Sequence, residues 1–588
     1  MPLHRRPVRE NNMAITKYIT KAMLSVMISK GNKALGRIEE HSHNPMQSNE
    51  ALLMQILKDN AGTEYGKKYG FADIKTIAEY QEKVPFTTYD DYAPYIERMV
   101  NKGEKNLITA YPVIHYAMTS GSVGVQKAIP LTDRAMNVYQ DYSGIRMYAL
   151  AKKHYRDVLH KPLPTGRGLN AMEVETSVMP DGTSKGSVSG STIKKFKSVM
   201  PYFLTSPVPV IFPTGGMNMQ YMKIRFALED PDVGYMVSSF MTNLSDMLNF
   251  MKSNWEILVE DIANGTVNPE MVSGEEYLKP ILPYLKKKPE RAAELRKIFE
   301  EGFDTPIVPR LWPGLSYVSA IGTGGFSVYT EKVKQFIGDI PIDYSVYAAS
   351  EGIFASASAM NDPKYDLLTD SCFFEFLPMD RTADEAHPLT IDKLEEGKEY
   401  EVIITNLSGF YRYRIKDVIR VLGFHNDMPQ ITFAYRISQM VNLSAEKTTE
   451  EHLSNAVSEM SKSLGCQIDD YCLWIDYDVD PARYVMLIEP DRALSADRLP
   501  EYADLFEEKI SKANVEYAIS RSDRSIGYPV VLLQQPQTHA LWREFKIFKG
   551  ASPNQVKPVR ILDVPQKEKF FFGMLEEGSR WDEVSERQ

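Results

Sequence analysis

The sequence predicts an α/β fold, with a large N-terminal domain and a small C-terminal one. Three observations predict it. Helix-like and strand-like hydrophobic periods alternate along most of the chain, as in layered α/β proteins. Residues 371–424 are mostly strand-like. Beyond residue 446 the alternation starts afresh on a smaller scale. A chain of 588 residues also exceeds the roughly 100–200 residues of one ordinary domain.

The elements follow in order. Ile15, Ile19, Met23 and Met27 recur at every fourth position, so residues 13–40 read as an amphipathic helix docked on its own domain, with residues 1–12 a loose leader. Leu52, Leu53, Ile56 and Leu57 share one face of a helix over 49–59, and a further helical run starts at Thr87-Thr88 and heads toward Met99. Val113 to Ala117 is a strand, residues 132–160 are helical, and 163–200, rich in Gly, Ser, Thr and Pro, are loops or short strands. Val208 to Phe212 carries Pro209 and is an edge strand at best. Helices follow over 243–262, 289–302 and 327–337. Ser316 to Ile321 is a short apolar run, and Ile342 to Val346 is a strand ending at a polar turn. Four strands come next, at Phe373–Leu377, Tyr400–Thr405, Tyr411–Ile415 and Val418–Gly423. The C-terminal unit reads as a helix at 449–463, strands near 471–476 and 484–488, a helix at 501–514 and a strand at 529–533. The expected division is a large domain over 13–435, a hinge over 436–446 and a small domain over 447–588.

Composition excludes several classes. Hydrophobic residues at 43% and charged residues at 25% are ordinary for a globular protein, which excludes wholesale disorder. The charge balance of 68 − 78 = −10 makes a poor general nucleic-acid binder, because phosphate contacts need an excess of Lys and Arg. Cys372, Cys466 and Cys472 form no CxxC pair, which fits a reducing, cytoplasmic setting. No run of apolar residues is long enough for a membrane span. Arg5 and Arg6 precede the moderately apolar Ile15–Ile28, but Lys17 and Lys21 interrupt it and no small-x-small site follows, so it is not read as a signal peptide. The chain has no HExxH, no Gly-x-Ser-x-Gly and no metal-spaced Cys/His cluster. His115, on the first strand, reads as a satisfied strand histidine.

Four segments could carry chemistry. Thr119-Ser-Gly-Ser-Val-Gly-Val-Gln-Lys127 follows a strand and offers hydroxyls, glycines that let backbone N–H groups approach an anion, and a terminal cation. Alone it is equally an ordinary Ser/Gly turn. Tyr347-Ala-Ala-Ser-Glu351 follows another strand; its Tyr, Ser and acid could stack on a base, touch a phosphate and hold Mg²⁺, which needs only one or two carboxylates beside phosphate oxygens. Its bland reading is a strand-end turn. Tyr411-Arg-Tyr-Arg-Ile-Lys-Asp417 alternates, placing Tyr411, Tyr413 and Ile415 on one face, Arg412, Arg414 and Lys416 on the other, and Asp417 at the strand's end. It is either a half-exposed strand with a basic outer face or a site where Asp417 accepts ribose hydroxyls. Lys447 precedes a helix N-terminus, and Lys557 lies in the basic loop Gln555–Arg560. Either lysine alone is most simply solvated surface.

Taken in this order, the segments resemble the Gretchen Hagen 3 family, the auxin-responsive acyl acid amido synthetases, within the wider superfamily of acyl-adenylating enzymes. The resemblance continues in Asn60-Ala-Gly-Thr-Glu-Tyr-Gly-Lys-Lys-Tyr-Gly-Phe71, in Val84-Pro-Phe-Thr-Thr-Tyr-Asp-Asp-Tyr92 and in Gly550-Ala-Ser-Pro-Asn-Gln-Val-Lys557. It implies a large acyl-adenylate-forming domain with β-sheets flanked by helices and a β-barrel-like part, and a small mobile domain. It implies that Thr119, Ser120, Gly121, Ser122 and Lys127 hold ATP phosphates, and that Gly324 and Gly325 line the adenine pocket. Tyr347 would lie near the base, Ser350 near the α-phosphate and Glu351 on Mg²⁺. Asp417 would take the ribose hydroxyls, with Arg436 at the boundary with the hinge, and Lys447 and Lys557 would act from the small domain. Three positions depart from the family pattern: Val123 replaces a hydroxyl, Lys416 stands where a Gly usually precedes the Asp, and Val556 replaces an aromatic. They suggest a member distant from the plant enzymes.

The implied reaction has two halves. A carboxylate attacks the α-phosphorus of ATP, giving an acyl-adenylate and pyrophosphate, and the amine of an amino acid then displaces AMP. The expected partners are a small carboxylic acid and an amino acid, with the protein a monomer. Two other readings stay open: a thiol acceptor, coenzyme A or a carrier protein, and a catalytically silent nucleotide-binding homologue.

Overall fold

The computed structural model describes residues 8–119, 127–172, 174, 177–188, 190–191, 197–213, 215–379, 387–437, 440–441, 443, 446–549, 551 and 556–581. Among them the chain forms two compact units: 8–119, 127–415 and 419–433 make the first, and 416–418 with 434–581 make the second. Among the described residues no helix is long and apolar enough to cross a membrane.

The strands of the first unit are β1 (Val113–Thr119), β2 (Lys127–Thr132), β3 (Arg167–Asn170), β4 (Ser177–Val178), β5 (Ser184–Gly186), β6 (Val233–Phe240), β7 (Tyr317–Ile321), β8 (Ile342–Asp343), β9 (Val346–Ala349), β10 (Gly352–Ala357), β11 (Tyr365–Leu367), β12 (Cys372–Pro378), β13 (Glu399–Asn406), β14 (Tyr413–His425) and β15 (Met428–Arg436). Its main helices are α1 (Val8–Ser42), α2 (Pro45–Asn60), α3 (Tyr89–Lys102), α4 (Asp133–Gln140), α5 (Arg146–Asp157), α6 (Met219–Leu228), α7 (Met241–Asn264), α8 (Pro289–Glu300) and α9 (Ser327–Ile337). A four-stranded parallel sheet runs β3-β6-β7-β8, a four-stranded mixed one β2-β1-β5-β4, and a seven-stranded one β12-β13-β14-β15-β11-β10-β9. The parallel strands are mostly buried; Met236, Val318 and Ala320 are fully so.

Helix α1 docks on α5 as expected, but on a stripe one position away from the one the periodicity picks out. Leu24, Ile28, Ala34 and Ile38 are buried, while Met23 and Met27 flank them. The helix begins at Val8, so residues 8–12 of the expected leader are helical. The approach is close because Gly31 has no side chain: a Cβ there would lie 2.7 Å from the Ile145 carbonyl oxygen and 2.8 Å from Ala149 Cβ. Arg37 seals the contact, donating to Asp141 at 2.8 Å and to the Tyr142 hydroxyl at 3.1 Å. Tyr142 lies in a π-helical turn, Asp141–Ile145, between α4 and α5 and donates to Asp370 at 2.7 Å.

Several expectations need correction. Val208–Ile211 is a helical turn, not an edge strand, with Pro209 in the first turn, where its missing N–H costs nothing. The single strand expected over 342–346 is broken at Ser345, which has φ +61, so β8 and β9 join different sheets. The strands expected at 411–415 and 418–423 are one strand, β14, starting at Tyr413. Asp417 therefore sits inside it rather than at its end. Lys416 has φ +63, the left-handed region that favours glycine, and this resets the alternation: Asp417 and Val418 are both buried. The expected basic outer face is neutralised. Arg412 is buried against Glu375, its Nε 3.0 Å from Oε2, Arg414 pairs with Glu401, and Arg420 with Glu399.

The second unit is a three-stranded sheet, β16 (Ile468–Asp476), β17 (Arg483–Pro490) and β18 (Gly527–Leu533), in that order, antiparallel then parallel. Helices α10 (Glu450–Leu464), α11 (Leu499–Ala513), α12 (Val515–Ser522), α13 (Thr538–Phe548) and α14 (Pro565–Phe572) accompany it. Leu453, Val457, Leu487, Phe506 and Val531 belong to its core. In the sheet Glu489 faces Asp470, and its carboxylate accepts the Gln537 and His539 N–H groups at the start of α13, at 2.7 and 3.1 Å. Burial pushes this carboxyl up to about 7; the His539 N–H opposes the rise and Asp470 adds to it.

Three predictions follow from this packing. Gly31→Leu should destabilise the protein by about 1–3 kcal/mol through overpacking. Gly36→Ala, on the same helix with nothing within 4 Å of its Cβ position, should change stability by under about 1 kcal/mol; equal thermal shifts for the two would refute the close-contact account. Lys416→Gly should stabilise by about 1 kcal/mol by relieving the left-handed backbone, and Lys416→Val should destabilise; thermal unfolding of both variants decides it. A carboxyl raised on folding binds its proton more tightly in the native state, so its contribution is full below about pH 4 and is lost as pH rises through about 7. That contribution is on the order of 3 kcal/mol. The melting temperature of the wild type relative to Glu489→Gln should therefore be more favourable at pH 5 than at pH 8; a constant difference would show that Glu489 does not titrate in that window.

Candidate active site

The hairpin β1–β2 pairs Thr119 with Lys127 across the strands. Ser120, Gly121, Ser122 and Val123 lie outside the described residues. Lys127 is exposed at the start of β2, with Nζ 5.0 Å from the centroid of Tyr89, whose hydroxyl accepts the Ala128 N–H at 3.2 Å. His115 is committed to the sheet: Nδ1 lies 3.2 Å from Ser184 Oγ and Nε2 3.3 Å from the Gly186 carbonyl oxygen.

After β7 the chain makes a 3₁₀ turn, Gly324–Phe326, that leads into α9. Gly324 has φ +60, and a Cβ there would lie 3.0 Å from the ring of Phe433. Gly325 is the next residue of the same turn. Phe433 also meets Tyr347, ring centroids 5.9 Å apart, and Tyr347 meets Phe354 edge-on at 5.2 Å. The glycine turn and Tyr347 are thus brought together, with Phe433 between them. Nothing in the local sequence marks Phe433, which lies far along the chain from both.

Ser350 and Glu351 are the two turn residues of the hairpin β9–β10, in which Ala349 pairs with Gly352. Asn406, buried at the end of β13, fixes this turn. Its Nδ2 donates to the Glu351 carbonyl oxygen at 2.7 Å, while its Oδ1 accepts the Ser408 and Phe410 N–H groups at 2.9 and 3.0 Å. The Glu351 side chain accepts the Tyr413 hydroxyl at 3.3 Å, and Tyr413 stacks on Phe410. One amide therefore holds two loops in register, with Glu351 half-buried at the tip.

Asp417 is buried, and its Oδ1 accepts Arg436 Nε at 2.5 Å. Arg436 is the last residue of β15 and keeps part of its side chain in solvent.

Lys447 is exposed at φ +41, between two fully buried neighbours, Glu446 and Thr448. The Glu446 carboxylate accepts the Leu443 N–H at 2.8 Å and the Tyr484 hydroxyl at 2.7 Å. Thr448 and Val441 exchange two backbone hydrogen bonds. Asn514 joins the pieces: its Nδ2 donates to the Glu446 carbonyl oxygen and to Thr448 Oγ1, both at 2.9 Å, while its Oδ1 caps α12. A lysine held left-handed costs about 1–3 kcal/mol and persists only where its surroundings over-determine it. Here they do. Thr449 then caps α10 in a reciprocal box with His452. Lys557 is exposed in the segment 556–560, whose Arg560 is buried. Val556 is half-buried beside it. Tyr484 and Asn514 are absent from the sequence reading, because each acts through a fold contact and neither belongs to a motif; Glu446 stands there only as the last residue of the hinge, with no role given to its side chain. The three cysteines are free and buried.

Comparison with known proteins adds the family. The GH3 family N-terminal domain model matches residues 34–342, the GH3 family central domain model 365–436, and the GH3 family C-terminal domain model 451–566. The chain is 30% identical over 555 residues to an indole-3-acetic acid-amido synthetase, GH3.8, of Oryza sativa subsp. indica, covering 90% of each chain. It is 28% identical to a jasmonoyl–L-amino acid synthetase, GH3.5, of Oryza sativa subsp. japonica, covering 87% of this chain and 91% of that one. With a 4-substituted benzoates-glutamate ligase, GH3.12, of Arabidopsis thaliana it shares 26% identity, covering 90% and 94%. In fold it is similar to the solved GH3.15 acyl acid amido synthetase, with a TM-score of 0.80 at 23% identity over 93% of this chain and 96% of that one. Family models that together run from residue 34 to 566, with a relative at 30% identity over nine-tenths of each chain, place it plainly: the chain belongs to the GH3 family.

Proposed function

We propose that the protein is an AMP-forming ligase that adenylates a carboxylic acid with ATP and passes the acyl group to the amine of an amino acid, forming an amide. The observation that carries this reading is the match to all three GH3 domains in one chain, with relatives across its length that are named amido synthetases or ligases of acids and amino acids. Those relatives are named for chemically different acids, so only the class of the first substrate is carried over.

The site residues have a chemistry that suits the reaction. Thr119, Ser120, Gly121, Ser122 and Lys127 cradle the phosphates, and Ser350 donates to the α-phosphate. The Gly324-Gly325 turn and the Tyr347 ring line the adenine side of the site. Phe433 backs that turn. Asp417, an acceptor only, takes the ribose hydroxyls, with Arg436 holding its other oxygen. Glu351 suits Mg²⁺, which binds by one or two carboxylates and completes its shell with phosphate oxygens. The ion, when bound, neutralises phosphate charge and so lets an anionic carboxylate approach. No protein nucleophile is required. The chain's own contribution is alignment of two anions that otherwise repel, and cations placed on developing charge.

Lys447 and Lys557 supply those cations, one in each half-reaction. The stretch 436–446, next to the boundary between the units at 433/434, is the hinge on which the small domain changes from one half-reaction to the other. The turn geometry around Lys447 supports this reading, since the structure spends strain to display that one side chain.

Acid-dependent ATP–pyrophosphate exchange, run across a panel of aryl, indolyl, jasmonate-like and fatty acids, tests the reading. One class of acid should support exchange, and an amino acid should then discharge the adenylate. Asp417→Asn should raise the KM for ATP about tenfold or more, the loss of charge-assisted hydrogen bonds. Lys447→Ala and Lys557→Ala should each slow one half-reaction by roughly a hundredfold or more. Wild-type rates in both half-reactions for both lysine variants would overturn the assignment.

A further inference from the structure

Arg560 lies three residues beyond Lys557, in a segment that runs beside β16. Leu473 N–H donates to the Arg560 carbonyl oxygen and Leu562 N–H to the Leu473 carbonyl oxygen, both at 2.8 Å, a single parallel bridge between Leu473 and Ile561. The Arg560 side chain is buried. One guanidinium nitrogen donates to the Tyr471 carbonyl oxygen at 3.0 Å and to the Asp470 carboxylate, and the Tyr471 ring centroid lies 4.2 Å from Cζ. The other side of the fork faces α10: Nε is 3.3 Å from Glu450 Oε1, an ion pair without a hydrogen bond. Asp470 and Tyr471 belong to β16. Glu450 is the first residue of α10, three beyond Lys447.

A single planar cation therefore touches both segments that carry a candidate lysine's anchor, and the strand between them. One nitrogen of the fork serves the Tyr471 carbonyl and Asp470 while Nε lies beside Glu450; a single ammonium nitrogen in place of the first would lose the contact with Glu450. A buried guanidinium is costly unless paired, so the three partners are held as one arrangement. His539 Nδ1 lies 3.6 Å from Asp470 Oδ1.

We propose that Arg560 is a positioning residue that fixes the Lys557 segment relative to the Lys447 turn, by tying both to β16. The inference rests on the reading of these two lysines as the cations of the two half-reactions. Arg560 acts through them and touches neither reactant.

The test has two arms. In the full chain, Asn455→Cys on α10 and Lys557→Cys are spin-labelled together; the three native cysteines are buried. Electron–electron distance measurement should give one narrow distribution with Arg560 present and a broadened or displaced one with Arg560→Gln. In the unlabelled enzyme, Arg560→Gln should lower kcat of exchange by about tenfold or more with the KM for ATP nearly unchanged, the pattern of lost alignment rather than lost binding. Arg560→Lys should recover only part of the rate. A folded Arg560→Gln protein with an unchanged distribution and unchanged kcat overturns the proposal. Should that variant fail to fold, Glu450→Gln cuts one arm of the fork alone and should broaden the same distribution; no change there also overturns it. If Lys447→Ala and Lys557→Ala leave both half-reactions intact, the catalytic reading fails on its own, and the distance measurement alone decides the positioning.

Discussion

Reactive side chains must sit in exposed turns, yet an exposed turn leaves backbone polar groups that the surrounding core has to satisfy. This constraint shapes both units. Asn406 pays the hydrogen bonds of the Ser350–Glu351 hairpin and of the loop after β13 with one side-chain amide. In the second unit Asn514 does the same for the Lys447 turn and the start of α12. An amide suits the task because it carries donor and acceptor at fixed spacing. Each is almost fully buried, so each turn is rigid at its base and open at its tip.

The second theme is local strain placed where function needs it. Arg412, Lys416 and Lys447 all have positive φ; Lys416 precedes the proposed ribose ligand Asp417, and Lys447 is itself a proposed catalytic cation. Arg412 is compensated by a buried pairing with Glu375 and by the Gln81 and Val84 carbonyl oxygens at 2.7 Å each. Lys416 gains no such pairing from its backbone; its reward is the placement of Asp417 on the buried side of β14. The strand that looked basic in sequence is electrically balanced by acids on the neighbouring strand β13 and on β12.

Much of the fold was legible in the sequence. Long helices such as α7 and α10 announced themselves by their hydrophobic period, and the alternation of short strands over 371–424 marked the large sheet. The failures have local causes. Val208–Ile211 is too short for periodicity to tell helix from strand, and proline is as much at home in a first helical turn as on a sheet edge. The break at Ser345 depends on a left-handed residue that carries no glycine signal. Helices α12, α13 and α14 were overlooked because they are short and lie among polar segments. The site divides in the same way. Glu351, Asp417, Lys447 and Lys557 stand in motifs that could be read, whereas Phe433, Asn406, Asn514 and Arg560 reach their positions only through folding.

The account's central claim is that an acid carboxylate attacks the α-phosphorus of ATP. Turnover with acid labelled by ¹⁸O in its carboxylate tests that most directly. Attack at the α-phosphorus moves one labelled oxygen into AMP when the amine displaces it, and mass spectrometry should find the label there. Label in inorganic phosphate, with ADP as the nucleotide product, would mean attack at the γ-phosphorus through an acyl phosphate and would contradict the account.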